Sequence, residues 1–492
     1  MKKPIWHSSK KGTARTEFVK FSAGRDVLPL PGADEILVPY DIWTNQAHAI
    51  GLHRIDVFSA PQLQKILQAL TKLETEWTRG SWKLDPALED VHINIESYIS
   101  ETCGEELGGR LHSGRSRNDQ VAADMKLYAR DVVLNFANEI HELLKSLLAH
   151  AHEHIKAPMP GYTHHRKATI TTWGHWCASY CQALLRDADR LMSIYARINT
   201  CPLGAAAAYG TTWPLDRKLV AELLAFDSVQ ENTLDAVRNR GEAEAEITHA
   251  LFMLMKRLAG ISQDLILFST DEFGYLSLPQ DFTTGSSIMP QKRNPDFAEA
   301  IKGKAYVLLG YVTSLLAIDG SNLSGYNKDV QWSKYLFMDA VREASGAATL
   351  LANVFQGMNV HRNRMENAAQ NGFLNAVDLA DHLARTRSLP FRTTYHLLSD
   401  AVGSAQQNHF TFDEINQLLS KHKITRFTDK EFASLQNPNE CVNARNHIGG
   451  PKPKHVKNHL MTISRKNVTF KKWIEKENEK IVNSKKRCSH SG

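Results

Sequence analysis

A chain of 492 residues, 42% hydrophobic and 23% charged, has ordinary globular composition and length enough for several domains or one extended helical architecture. The net charge of +6 is local: residues 451–492 hold twelve Lys or Arg against three Glu, so the remaining chain is slightly acidic and offers no basic surface for nucleic acid. Six scattered cysteines without a CxxC pair exclude a disulfide framework, no apolar run reaches a membrane span, and MKKPIWHSSKKGT lacks an apolar leader core, so a cytoplasmic protein is expected.

In chain order, residues 1–112 read as an N-terminal helical domain. From Val121, apolar residues recur at Met125, Tyr128, Val132, Phe136, Ile140, Leu143 and Leu147, steps of three or four that predict one helix of about seven turns. His150, His152 and His154 near its end alternate around the helix and read as a solvated end rather than a metal site. After a loop over Pro158–His165, a helix is predicted over Ile170–Ile198. Cys177 and Cys181 sit one turn apart there near His175, without two more ligands at zinc spacing. The series Ile247, Leu251, Leu254, Leu258, Ile261, Leu265 and Phe268 has the four-three spacing of a seam between nearly parallel helices. Further helices are predicted over Asp296–Leu316 and Gln331–Met358, and no strand is predicted. Residues 113–360 thus read as a central long-helix bundle, 361–450 as a C-terminal helical domain, and 451–492 as a basic extension disordered after about Lys480. Seams this long exceed what one chain covers and predict self-association.

Donor-rich loops punctuate the helices. In TTGSSIMPQKRNPD (Thr283–Asp296), Asn294 suits an N-cap, Pro295 the first helical position and Asp296 the first turn. Lys292, Arg293 and free backbone N–H groups then gather at a helix N-terminus, an anion site. Gly285-Ser286-Ser287 is permissive backbone able to close over a ligand. A hydroxyl beside a cation and an anion-binding helix end suits proton removal next to a carboxylate; on these residues alone, a solvated loop with a capped helix reads equally well. His112–Gln120 puts Arg115, Arg117 and several polar donors at the start of the first long helix, where Arg binds a carboxylate bidentately or simply flanks a cap. Gly161–His165 carries histidines able to move protons near neutral pH, although such a His alone is more often structural. Tyr326-Asn327-Lys328-Asp329, with Gln331, again collects donors before a helix.

At these residues the chain resembles the fumarase/aspartase superfamily. GSSIMPQKRNP resembles its signature, and HSGRSRNDQVAADMKLYARD, PGYTHH, CPLGAAAAYGTTWPLDR, NTLDAV and YNKDVQ are similar to its argininosuccinate lyase branch. The similarity runs from about Asp41 to Gly450, with DVHINIE near the start and LADHLARTRSLPFR and VNARNHIGG near the end. It implies an all-α, three-domain subunit, four copies joining their central helices in a twenty-helix core, and active sites composed of loops from three subunits. The implied reaction is anti elimination of argininosuccinate to arginine and fumarate, without cofactor or metal; the implied partners are that small molecule and three further copies of the chain, not nucleic acid or membrane. By motif, Ser286 resembles the base, and Lys292 and Asn294 the groups that hold the intermediate's carboxylate. His164 matches an acid/base histidine paired with Glu299, and Thr163 is the alternative proton donor. Asp34, His92, Ser116, Arg117, Asn118, Tyr326, Lys328 and Gln331 fall at substrate-binding positions.

The departures from the family pattern lie elsewhere. The family's Trp-Gly-Gly-Arg-Phe start is IWHSSKKGTARTEF here, and a substrate-contacting Ser aligns with Leu30, while Asp34 keeps the neighbouring acid. Gly-Ser-Lys becomes Thr44-Asn45-Gln46, Thr-His-Leu-Gln-Arg-Ala-Gln-Pro becomes THHRKATI with Arg166 in the Gln position, and Glu-Arg-Asp-Phe becomes Asn239-Arg240-Gly241-Glu242. The fumarate-forming residues are intact, and the changes sit near positions that shape the rest of the pocket. Elimination is therefore expected, with argininosuccinate, another N-substituted aspartate, or a non-catalytic structural role as the readings for the whole.

Overall fold

The computed structural model describes residues 15, 21, 31–318, 322–405 and 407–490. Leu30 and most of the N-terminal stretch that departs from the family lie outside the described residues. The chain is mostly helical, and its described strands form four two-stranded ladders.

Helix α1 (Ala33–Arg54) packs on α2 (Val91–Cys103), which starts where the Asp90 carboxylate accepts the Ile93 amide at 2.9 Å. Helix α3 (Arg117–Glu153) dominates the molecule. Ser116 and Asp119 form a reciprocal capping box at its start, the Ser116 amide donating to Asp119 Oδ1 at 2.8 Å. The other Asp119 oxygen accepts the Gly204 and Ala206 amides at 2.8 and 2.9 Å, which pins the loop after Cys201 to the helix start. The predicted stripe from Val121 to Leu147 is buried throughout. At about 1.5 Å per residue, the helix's 37 residues span ~55 Å.

Where a loop and a helix start are predicted, the chain forms an antiparallel hairpin, β1 (Pro158–Thr163) and β2 (Arg166–Thr172). Pro158 and Pro160 oppose a helix, and the β-branched run Thr169–Thr172 favours extended backbone. Thr172 then caps α4 (Trp173–Ile198), its hydroxyl accepting the His175 amide at 3.1 Å. Helix α5 (Glu242–Phe268) follows the second predicted seam. A short ladder of β3 (Thr284–Gly285) with β4 (Arg293–Asn294) precedes α6 (Asp296–Ala317). The single helix predicted over Gln331–Met358 divides into α7 (Trp332–Ala344) and α8 (Ala347–Gly357). Gly346 takes a φ of 82°, left-handed backbone that ends a helix, and its amide donates to Glu139 Oε1 at 2.9 Å.

Two expectations are corrected. His150 and His154 do not form a solvated helix end: one turn apart, they share an inward face and are buried, with only His152 exposed. His150 meets the Phe355 carbonyl, His154 accepts from Arg362 Nε at 2.9 Å, and burial pushes the His154 imidazole down to about 4. The basic extension is likewise not disordered after Lys480, since α9 runs from Pro453 to His490. Its stripe of Val456, Leu460, Ile463, Phe470, Ile474, Ile481 and Cys488 is buried in the core shared by the bundle, against α3 and α4. Phe470 stacks on Trp473, which meets Tyr195 edge-on at 5.4 Å. The lysines occupy the outer face of an amphipathic helix, a pattern that high charge content conceals. A separate core of Leu379, Leu383, Leu397, Phe410, Leu419 and Phe427 lies towards the C-terminal side.

A chain ending at Glu479 is expected to unfold at a lower temperature than the full chain in scanning calorimetry, because buried Ile481 alone contributes about 1.5–3 kcal/mol. Equal unfolding temperatures would mean that the last turns of α9 carry no packing energy.

Candidate active site

At the α3 N-terminus, Asp34 from α1, His92 from α2, and Arg117 and Asn118 from α3 line one cavity of about 580 Å³. Tyr326, Lys328 and Gln331 complete it, so seven of the predicted substrate residues converge. Ser116 does not line this cavity; its hydroxyl serves the helix cap. Charges alternate around the walls. Arg117 donates to Asp90 Oδ2 at 2.9 Å, Lys334 pairs with Asp34 Oδ1, and the other Asp34 oxygen accepts the Val91 amide at 3.1 Å. Arg240 is buried beside them with its guanidinium 5.4 Å from the Tyr326 ring centre. Its Nε and Nη1 have no hydrogen-bond partner among the described residues.

The expected base and its cradle lie elsewhere. Ser286 and Lys292 are the first and last residues of the loop that β3 and β4 close. Ser286 Oγ accepts the Met289 and Ile288 amides at 3.1 and 3.3 Å, so it is turned into its own loop. Asn294 pairs across the ladder with Thr284 and does not cap α6 as predicted, because the ladder holds it extended; the helix begins at Asp296, whose carboxylate accepts from the Thr284 hydroxyl. Ile288 at the loop tip is 82% exposed, Met289 beside it is exposed too, and Glu299 faces solvent one turn into α6.

Thr163 and His164 stand at the tip of the β1–β2 hairpin, where the Thr163–Arg166 pair closes a two-residue turn. His164 and His165 have φ of 53° and 57°, left-handed backbone that such turns require and that His tolerates better than most residues. Both side chains are exposed. One pair below the turn, where Tyr162 faces Lys167, the Tyr162 and Tyr275 hydroxyls lie 2.9 Å apart, and the Tyr162 ring packs on Phe268 and Phe273. Cys177 and Cys181 are buried, and His175 is held by the Thr171 hydroxyl at 2.9 Å and the Gly449 carbonyl at 3.1 Å.

These groups fall at opposite ends of the bundle. The cleft sits at the α3 N-terminus, and the hairpin follows its C-terminus ~55 Å away. Helix α5, whose 27 residues span ~40 Å, runs the same way: Arg240 near its start lines the cleft, and Phe268 at its end supports the hairpin. Lys302 near the start of α6 bonds Gln263 near the end of α5, so the Ser286 loop belongs to the far end as well. One chain therefore does not unite the predicted site residues. Cleft residues missed from sequence include Asp90, the first residue of the quoted DVHINIE, Arg240, which lies within a departing stretch, and Lys334, three positions beyond the quoted YNKDVQ. Gly241 at another departure takes a φ of 95° and starts α5, its amide bonded to Glu244 at 2.9 Å.

Residues 35–310 match the family described as Lyase, and residues 373–443 match one described as Argininosuccinate lyase C-terminal. Among solved structures, EDDS lyase in complex with formate superposes with a TM-score of 0.86 at 24% identity, covering 98% of this chain and 95% of that one. The class II fumarase of Schistosoma mansoni follows with 0.71 at 14% identity, over 88% and 96%. Fold and family match together define a carbon–nitrogen lyase built on a long-helix bundle. The argininosuccinate lyase of Nitrosococcus oceani is 37% identical over 426 residues, 87% of this chain and 90% of its own length. That of Neisseria gonorrhoeae is 37% identical over 428 residues, 87% and 92%. The chain belongs to the argininosuccinate lyase family.

The hairpin turn makes a direct demand on residue type. His165→Ile, β-branched in a left-handed position, is expected to cost about 1–2 kcal/mol in chemical unfolding, whereas His165→Asn is expected to be neutral. Equal stability of the two variants would mean that the turn is not held in this conformation.

Proposed function

We propose that the protein cleaves L-argininosuccinate to L-arginine and fumarate in the cytoplasm, in sites completed only when copies of the chain associate as a homotetramer. The observation that carries this reading is the division of an otherwise retained residue set. The cleft, with Asp34, His92, Arg117, Asn118, Tyr326, Lys328 and Gln331, is assembled at one bundle end, and the Ser286 loop and Thr163–His164 turn stand uncovered at the other. Helix α6 supports association. Its outer face carries Tyr306, 71% exposed, with Val307, Gly310 and Leu316, and Gly303 and Gly310 have open space where a side chain would stand. An apolar and small-residue face of that length on a monomer is a surface without its cover.

In the reaction, Ser286 takes the proton from the carbon beside the succinyl carboxylate. Lys292 and Asn294 hold the carboxylate as it gains the electron pair, and the carbon–nitrogen bond then breaks. Thr163 or His164, the latter supported by Glu299, returns a proton to the departing guanidino nitrogen. A free serine hydroxyl is far too weak a base for this step, so an alkoxide at Ser286 requires the cation and amide donors that a closed loop supplies. No helix of the described residues is long and apolar enough to cross a membrane.

Fumarate release from argininosuccinate, followed by ultraviolet absorbance, is expected for the purified protein. Ser286→Ala is expected to lower kcat by about 100- to 10,000-fold; an unchanged rate refutes the role of Ser286. Fumarate from a different N-succinyl amine but none from argininosuccinate selects another substrate for the same machinery, and no fumarate from either leaves a structural role. Subunits carrying Ser286→Ala, mixed after reversible dissociation with subunits carrying Lys328→Ala, are expected to regain activity that neither has alone. Failure to do so would place each site within one chain.

A further inference from the structure

Beneath the cleft floor, α1, α2 and α3 bring Asp41, His92 and Asp124 together. Both carboxylates are fully buried, and His92 is 6% exposed. His92 Nδ1 lies 2.9 Å from Asp41 Oδ1 and 3.7 Å from Asp124 Oδ2. Gln120 Nε2 donates to Asp41 Oδ1 at 2.7 Å, and Asn45 Nδ2 donates to Asp41 Oδ2 at 3.1 Å. The Thr44 hydroxyl donates to Asp124 Oδ1 at 2.9 Å, and buried Arg115 donates to Asn45 Oδ1 at 2.6 Å. Asp124 Oδ2 has no hydrogen-bond partner of its own. Burial and the neighbouring Asp41 charge push the Asp124 carboxyl well up. These three side chains also have the make-up of a metal triad. Gln120 and Asn45 already donate to the two Asp41 oxygens and Thr44 to one Asp124 oxygen, so the cluster is held as a hydrogen-bonded network.

Facing a carboxylate, His92 Nδ1 must carry its proton. The other ring nitrogen, Nε2, has no partner among the described residues, and the ring lines the cleft beside Asp34 and Arg117. A lone pair there repels the oxygens of a fumarate half, which offers only acceptors; it suits the amine half, which offers ammonium and guanidinium N–H groups. Two of the departures from the family pattern, Thr44 and Asn45 in place of Gly and Ser, lie inside this network, so it is a place where this chain's cleft differs from its relatives'. We propose that the Asp41–Asp124 pair, braced by Thr44 and Asn45, locks the His92 ring with Nδ1–H inward, so that Nε2 accepts an N–H of the substrate's amine half. Asp41, Asp124, Thr44 and Asn45 are positioning residues that act through His92. The nature of that half as arginine rests on the function proposed above.

Two variants test the device. His92→Asn keeps an N–H towards Asp41 and removes Nε2, and Asp41→Asn removes the charge that orients the ring. Both are expected to weaken product inhibition by L-arginine about tenfold or more, the scale of one hydrogen bond to a charged group, while inhibition by fumarate stays as it was. Equal weakening of both products overturns the proposal. In protein labelled with ¹⁵N at histidine, the resonance lost in His92→Asn is expected to show an Nδ1–H imidazole in the wild type and a changed tautomer in Asp41→Asn; an Nε2–H form in the wild type overturns it. The spectrum needs no substrate, so absence of argininosuccinate turnover defeats the proposed function without touching the tautomer result.

Discussion

The length of α3 governs everything else in the molecule. Its 37 residues keep the cleft and the hairpin ~55 Å apart, and the hydrogen-bonded ladder inside it does not bend to bring them closer. Helix α5 runs the same way over ~40 Å, from Arg240 at the cleft to Phe268 under the hairpin. A chain built on such helices holds acid, base and substrate donors rigidly but never together. Association is then a chemical requirement of the proposed reaction, and the uncovered face of α6 is where the architecture leaves room for it.

The two bundle ends differ in character. The cleft is preformed: Asp34 is held by Lys334 and the Val91 amide, Arg117 by Asp90, and His92 by buried carboxylates, so little reorganisation remains when a ligand enters. The Ser286 loop is the opposite. Its hydroxyl satisfies amides of its own turn, and its tip holds Ile288 and Met289 in water. A loop of that kind changes partner when a surface closes over it, which in the proposed reaction would give binding and proton abstraction separate mechanical parts.

Several elements were legible in the sequence because their cause is local. The stripe from Val121 to Leu147 and the seam from Ile247 to Phe268 are buried as their periods require. Motif resemblance singled out seven residues that the structure brings to one cavity, although from sequence they are scattered between Asp34 and Gln331. Other features had competing local readings that only packing resolved. Ser116 and Asn294 look alike as polar residues before helices, yet Ser116 became the cap and Asn294 a strand residue. The alternating histidines at the end of α3 read as solvated until α8 and Arg362 came to cover two of them. In α9, twelve cations within the last 42 residues masked an apolar stripe whose spacing is regular but whose partner lies some three hundred residues away, on α3.

Sequence by itself determined the long helices α3 and α5 and the order of the donor-rich loops, because helix period and loop composition are set by residues close along the chain. The tertiary structure alone decided which loops share a cleft, that Arg240 and Lys334 belong to it, and that Asp41 and Asp124 meet behind His92. Those juxtapositions join residues tens to hundreds of positions apart. They exist only because burying the α1, α2 and α3 faces against one another brings their polar side chains into the same small volume, where each must find a partner or shift its proton.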